Sequence, residues 1–241
     1  MKFLKIQKYK KTLNYSYALG VYPVMELLKN KPDRVLKIIL SSKLREYIKS
    51  KITKRVDISK IEINDKVVKN LSSKENHYVV GVFEKYYQIL NARQNHVVLV
   101  KPSNFGNLGT IIRTMLAFGF LDLAIIKPGV DIFAPEVIRS SMGANFGIRL
   151  AYFDSFLKYK EKYKNHNYYP FTTNCTVELS KIKLKQPFSL IFGNEGSGLS
   201  NDLQKVGQCI KIQQSAKVDS LNLAIAVGIA LYNLKTETNN P

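Results

Sequence analysis

Asn104, Asn107 and Arg113 stand together in Asn104-Phe-Gly-Asn-Leu-Gly-Thr-Ile-Ile-Arg113, where two glycines, two amides and a guanidinium follow an apolar run. Gly106 and Gly109 permit close backbone approach, and the helix beyond them offers unpaired N–H groups to an anion. The spacing is neither GxGxxG nor GxxxxGK[ST], which disfavours a dinucleotide or Walker-type site. Arg113 either faces the same crevice as Asn107 or pairs with a surface carboxylate. A second cluster, Leu190-Ile-Phe-Gly-Asn-Glu-Gly-Ser-Gly-Leu199, has Glu195 as its one carboxylate. Its glycines suit a backbone wrapped around a small ligand read by main-chain groups, while Glu195 alone would read as a helix-start residue. In the third, Val218 to Tyr232, Asp219 or Ser220 can cap a helix whose small residues allow close packing, and Asn222 is an amide just inside an apolar helix or an added cap.

The elements around these clusters predict an α/β fold. His96-Val-Val-Leu-Val100 reads as a buried strand, and Ile111, Ile112, Met115, Leu116 and Phe118 recur with helical spacing, so the first cluster joins strand to helix. Further strands are expected near 121–126, 168–171, 188–192 and 208–212, with a last helix over about 221–234. This alternation implies a mostly parallel sheet with helices on both faces, whose strand-end crevice is the usual ligand site. Earlier in the chain, helices are expected over 18–29, 44–48 and, with alternative readings open, 61–71; strands are expected over 35–40 and 78–83, and an extended stretch over 55–58. The organisation is thus a small α/β domain over 1–85, a polar connector over 86–94 and a larger domain over 95–241, with a polar tail from Thr236.

Charge narrows the partner. The chain carries 37 Lys+Arg against 18 Asp+Glu, a net +19 that attracts polyanions, nucleic acid foremost. Residues 1–85 hold 20 of the cations against 8 carboxylates, so the first third is the part expected to grip. The blander reading is a set of solvated basic faces. Cys175 and Cys209 lie far apart without CxxC spacing, which argues against a zinc site or disulfide framework and suits a reducing cytoplasm. The basic start lacks an apolar h-region and no stretch is long enough to span a bilayer, so neither secretion nor a membrane partner is expected.

Taken in order, the three clusters resemble the three motifs of the SpoU/TrmH family of RNA ribose 2′-O-methyltransferases, in the SPOUT superfamily. Ala134-Pro-Glu-Val-Ile-Arg-Ser-Ser-Met-Gly-Ala144 is similar to the family segment between motifs one and two. Leu19 to Leu28 and His77 to Val82 are similar to the ribosomal-protein-like substrate-binding domain of many members. The resemblance implies a C-terminal trefoil knot, a homodimer, and methyl transfer from S-adenosylmethionine to a ribose 2′-hydroxyl in structured RNA. By family analogy 23S ribosomal RNA is favoured over tRNA; the alternative is a non-catalytic RNA-binding or ribosome-assembly factor that keeps the fold. Gly193, Ile212 and Leu221 would hold the cofactor through main-chain groups, and no metal is implied. Asn107, Arg113, Glu195, Ser220 and Asn222 would form the catalytic neighbourhood, Glu195 fixing either Arg113 or the loop. Two positions depart from the family pattern: Asn104 stands where many relatives have Asp, and Ile212-Gln-Gln214 replaces Ile-Pro-Met.

Overall fold

The computed structural model describes residues 6–72 and 78–238. The first five residues of the basic start, His77 and the last three of the tail lie outside the described residues. The chain divides into two compact units, Met1–Tyr86 with Asp131–Gly147, and Tyr87–Val130 with Ile148–Pro241.

In the first unit the order is β1 (Tyr15–Leu19), α1 (Val21–Asn30), β2 (Val35–Leu40), α2 (Glu46–Thr53), β3 (Ile61–Ile63), α3 (Asp65–Leu71) and β4 (Val79–Glu84). The strands form a sheet in the order β1-β4-β2-β3, with β4 antiparallel to both neighbours and β3 parallel to β2. Three sequence expectations are corrected here. Ala18 and Leu19 end a strand whose five residues are all buried, and the helix starts only after Gly20, whose φ of 96° turns the chain. Ile61–Ile63 is an edge strand rather than helix, because Asn64 starts α3 by accepting the Val67 N–H at 3.1 Å. The extended stretch expected over 55–58 gives way to a single 3-10 turn at Ile58–Lys60.

The second unit runs β5 (His96–Val100), α4 (Phe105–Phe118) and β6 (Asp122–Ile126), then leaves through Asp131–Gly147, which carries α5 (Pro135–Ser140). It resumes with β7 (Arg149–Phe153), α6 (Phe156–Lys162), β8 (Asn167–Phe171), β9 (Val177–Glu178), β10 (Phe188–Phe192), α7 (Asn201–Gln204), β11 (Ile210–Lys211) and α8 (Leu223–Thr238). Seven strands make one wholly parallel sheet in the order β7-β6-β5-β10-β8-β11-β9. Val98, Val100, Ala124, Ile126 and Ile191 on one face pack with Phe156 and Tyr159 of α6 and with Leu203 of α7. Residues of the other parity, Val97, Leu99, Leu123 and Ile125, are buried on the opposite face, and α4 packs along α8.

The segment 131–147 does not stay with the larger domain to which the sequence reading assigned it. Its apolar residues are spent in the first unit: Phe133 and Phe146 lie 6.1 and 5.0 Å from the Phe83 ring, and Ser16 Oγ donates to the Phe133 carbonyl. A Cβ on Gly143, at φ 83°, would sit 2.8 Å from Pro23 Cα, so this Met-Gly-Ala turn needs its glycine. Cys175 and Cys209 are joined as a disulfide with Cα atoms 5.6 Å apart, against the sequence expectation. Sequence distance misled there, because β11 is paired beside β8, Ile210 opposite Phe171, and this returns Cys209 to the loop that follows β8.

Candidate active site

β5 and β10 are parallel neighbours, in register from Ser189 opposite His96 to Phe192 opposite Leu99. The chain goes from β5 to β6 and β7 on one side, then crosses to the strands on the other. The first two motifs therefore leave adjacent strand ends at the point where the order reverses, where open α/β sheets bind ligands.

Glu195 joins the two loops. Its carboxylate accepts the Ser103 N–H at 3.1 Å, the Ser103 hydroxyl at 2.8 Å, the Asn104 N–H at 3.2 Å and the Asn107 side-chain amide at 3.3 Å. Burial raises its pKa, but its own N–H and the groups donated by Ser103 and Asn107 outweigh this and hold the carboxyl below its ordinary range. Glu195 is thus a fixed carboxylate that orders the first motif. Among the described residues no hydrogen bond or ion pair joins it to Arg113.

The chain of amides continues into the third motif. Asn107 Oδ1 accepts the Asn222 side-chain N–H at 3.1 Å, and Asn222 Oδ1 accepts the backbone N–H of Ala224 at 2.9 Å and of Ile225 at 3.4 Å. Asn222, rather than Asp219 or Ser220, is the cap of α8, and it ties that cap to α4. Asn104, the departure at the mouth of motif one, caps α4 by accepting the Asn107 N–H at 2.9 Å. α4 accordingly starts at Phe105, and Gly106 and Gly109 lie inside the helix instead of flooring a loop.

The second motif is a tight hairpin. Asn194 and Gly198 exchange backbone hydrogen bonds of 3.2 and 3.0 Å, and Gly198 has φ 64°. A Cβ on Gly193 would fall 2.2 Å from the Gly198 carbonyl carbon, so no other residue fits. Asn194 was missed in the sequence. Its Oδ1 accepts the N–H of Gly196 at 2.9 Å and of Ser197 at 3.2 Å, and its amide donates to the Lys101 carbonyl at 2.7 Å. The first of these is an Asx turn that Asn two residues before Gly advertises. Ser103 and Lys101, the latter at φ 53°, give no such signal.

Beside this hub lies a cleft of about 300 Å³ lined by Gly193, Ile212, Ser220 and Leu221, with Phe171 and Phe192 on its apolar side. Those two rings stack at 4.6 Å. Among the described residues Glu195 is the only charged side chain on its wall, so a ligand there meets apolar surface and main-chain donors and acceptors. Gln214 donates to the Val218 carbonyl at 3.3 Å, which ties the loop between β11 and α8. The fold thus brings together Asn107, Glu195 and Asn222 as one hydrogen-bonded group and Gly193, Ile212, Ser220 and Leu221 as one cleft. Arg113 is exposed on α4, and among the described residues no hydrogen bond or ion pair joins it to the others.

The model of the SpoU rRNA Methylase family matches residues 94–232, a span that contains all three motifs. The chain belongs to this family. Among its relatives, an uncharacterized tRNA/rRNA methyltransferase of Synechocystis is 35% identical over 144 residues, 58% of this chain and 53% of that protein. The 23S rRNA (guanosine(2553)-2′-O)-methyltransferase of Bacillus subtilis is 31% identical over 138 residues, 54% of this chain and 53% of that protein. The chain thus matches about half the length of these relatives. The crystal structure of an AdoMet-bound rRNA methyltransferase from Sinorhizobium meliloti superposes with a TM-score of 0.77 at 28% identity, covering 93% of this chain and 88% of that one.

Proposed function

We propose that the protein is an S-adenosylmethionine-dependent RNA methyltransferase that modifies a ribose 2′-hydroxyl, with 23S ribosomal RNA as the favoured substrate. The observation that carries this is the Glu195–Asn107–Asn222 hydrogen-bonded group, which couples the family's three motifs beside one cleft. The cleft's residues fit the cofactor: aromatic rings for its adenine, main-chain groups of Gly193, Ile212 and Leu221 for its polar edges, and a glycine turn that a Cβ would block. When bound, it supplies an electrophilic methyl group.

The chain's own residues then position and stabilise. Glu195 stays ionised, and its oxygens are taken up by the first motif's donors, so it is no general base. In this reading Asn107 and Ser220 orient the ribose, and the Asn222 amide hydrogen-bonded to Asn107 supports it. A guanidinium remains protonated across the accessible pH range, which suits Arg113 to stabilising the developing alkoxide or holding the adjoining phosphate. Arg113 stands apart from the rest of the group, and Ile225, Ile229 and Tyr232 expose one side of α8 by 54%, 40% and 60%. Both features support a homodimer in which Arg113 of one copy serves the cleft of the other. The trefoil knot belongs to the same reading.

The test is transfer of labelled methyl from S-adenosylmethionine to ribosomal RNA, followed by alkaline hydrolysis. A 2′-O-methyl group blocks cleavage of its own phosphodiester, so the label is expected in alkali-stable dinucleotides. Label on mononucleotides would place the methyl on a base and refute the ribose assignment. Mixing inactive Arg113→Ala with inactive Asn222→Ala should restore part of the activity; no recovery, with mixed dimers demonstrated, would count against a site shared between copies.

A further inference from the structure

The first unit carries a surface that the reaction does not use. Residues 43–55, α2 with its flanks, contain Lys43, Arg45, Lys49, Lys51, Lys54 and Arg55 against Glu46 alone, five of the chain's 19 net positive charges. α2 spends little of itself on the fold, since Ile52 is its one fully buried residue. Glu46 is taken by Lys49 at 3.1 Å. Lys43, Arg45, Lys54 and Arg55 are exposed, and among the described residues none has an ion-pair partner. Tyr47 stands amid these cations with 69% of its surface exposed, and Lys51 Nζ lies 4.2 Å from its ring centroid. The turn leading into the helix is held in place, because Ser41 and Ser42 both donate to the Asp65 carboxylate at the start of α3.

Tyr47 is not spent on packing, and what sets it apart from other exposed rings is the cluster of cations around it. Exposed cations around a flat, accessible ring match a ligand with an anionic backbone and unpaired π faces. We propose that α2 is a docking surface for the substrate RNA, on which Arg45, Lys54 and Arg55 hold backbone phosphates and an unpaired loop base stacks on Tyr47. This rests on the RNA reading above and extends it by naming where, outside the methyl-transfer cleft, the RNA is gripped. Duplex DNA, which shares the phosphates but lacks the unpaired base, and an acidic protein are the competing partners.

The experiment measures binding by the full-length chain of a labelled RNA hairpin with an all-adenosine loop, its fully paired RNA duplex and the matching DNA duplex, by fluorescence anisotropy across a salt series. Calorimetry of S-adenosylmethionine runs alongside as a control for folding and for the cleft. Replacing Arg45, Lys54 and Arg55 together by Gln should weaken all three nucleic acids roughly 10- to 100-fold and lower the log–log salt slope by about 2 to 3. Tyr47→Ala should cost the hairpin roughly 5- to 100-fold and leave the duplexes unchanged, while Tyr47→Phe keeps the affinity. Cofactor affinity should not move in any of these variants. If the unaltered chain binds RNA and the triple variant binds it equally well with the same salt slope, this surface is overturned and the RNA reading stands. Equal loss on hairpin and duplexes with Tyr47→Ala would overturn the stacked base, and an unaltered chain that binds cofactor but no RNA would overturn the RNA reading itself.

Discussion

At the scale of single residues, the site is governed by Glu195, which accepts from more groups than its two neighbours in the amide chain. Glu195→Gln keeps the shape but puts an N–H against the backbone N–H of Ser103 or Asn104. The expected cost is about 1.5–3 kcal/mol of stability, the range for losing a hydrogen bond to a charged group, with weakened cofactor binding as the first motif loosens. Urea unfolding and calorimetry measure the two effects, and an unchanged midpoint with unchanged affinity would show that the carboxylate does not organise the loop. Glu195 and Asn107 are visible in the sequence because they stand in glycine-rich stretches that follow apolar strands, and Asn222 because it is an amide just inside an apolar helix. Ser103 and Asn194, equally engaged, are not picked out that way, since serine and asparagine beside a turn look ordinary until their partners about ninety residues away are known.

Caps and strand ends are the decisive features among the elements. Asn104 and Asn222 each cap one of two helices that pack together, and the Asn222 side chain also reaches Asn107. Asn222→Ala should therefore cost more than the ~1 kcal/mol of a lost cap, because the Asn107 amide loses its partner as well. Asn104→Ala should stay near that figure. Paired urea titrations compare them, and equal losses would mean the Asn107–Asn222 bond is thermodynamically idle. Gly193→Ala should abolish cofactor binding, since the new methyl meets backbone with no side chain to yield; a bound complex of normal affinity would contradict the hairpin geometry. The buried strands of the parallel sheet, β5 and β10 above all, coincide with their expected ranges, because continuous apolar runs bounded by turns are a strong signal. The two-residue strand β9 carries too little sequence to announce itself, whereas β11 falls inside the strand expected near 208–212. β1 was overlooked because Ala18 and Leu19 fit the helical spacing of α1 as well as the end of a strand.

Across the molecule, the second unit hides a polar cluster that makes its stability depend on pH. His96 Nε2–H donates to the Asn91 carbonyl at 2.9 Å, leaving Nδ1 to accept the Tyr159 hydroxyl at 2.8 Å. His166 lies between the Ala92 carbonyl and Ser189, with Asp122 held by Arg149 nearby. Burial drives His96 down to about 4 and lowers His166 as well. Both are neutral when folded and titrate near their ordinary value of about 6.5 when unfolded, so the unfolded chain binds more protons in between. Stability from this cluster is complete above about pH 6.5 and declines toward pH 4, by up to roughly 3 kcal/mol for His96. Thermal melts should show the melting temperature falling from about pH 7 to about pH 5, and a flat profile would mean these histidines stay accessible. The order of the strands has a temporal consequence. β10 lies between β5 and β8, both made earlier, so the two strand ends that carry the first and second motifs become neighbours only when this late strand inserts. A ribosome-bound chain stopped before Phe188 would hold β5 with one edge unpaired and no cleft at all. Contacts this distant in sequence form slowly, and cofactor added during synthesis should protect nothing until the last third of the chain has emerged.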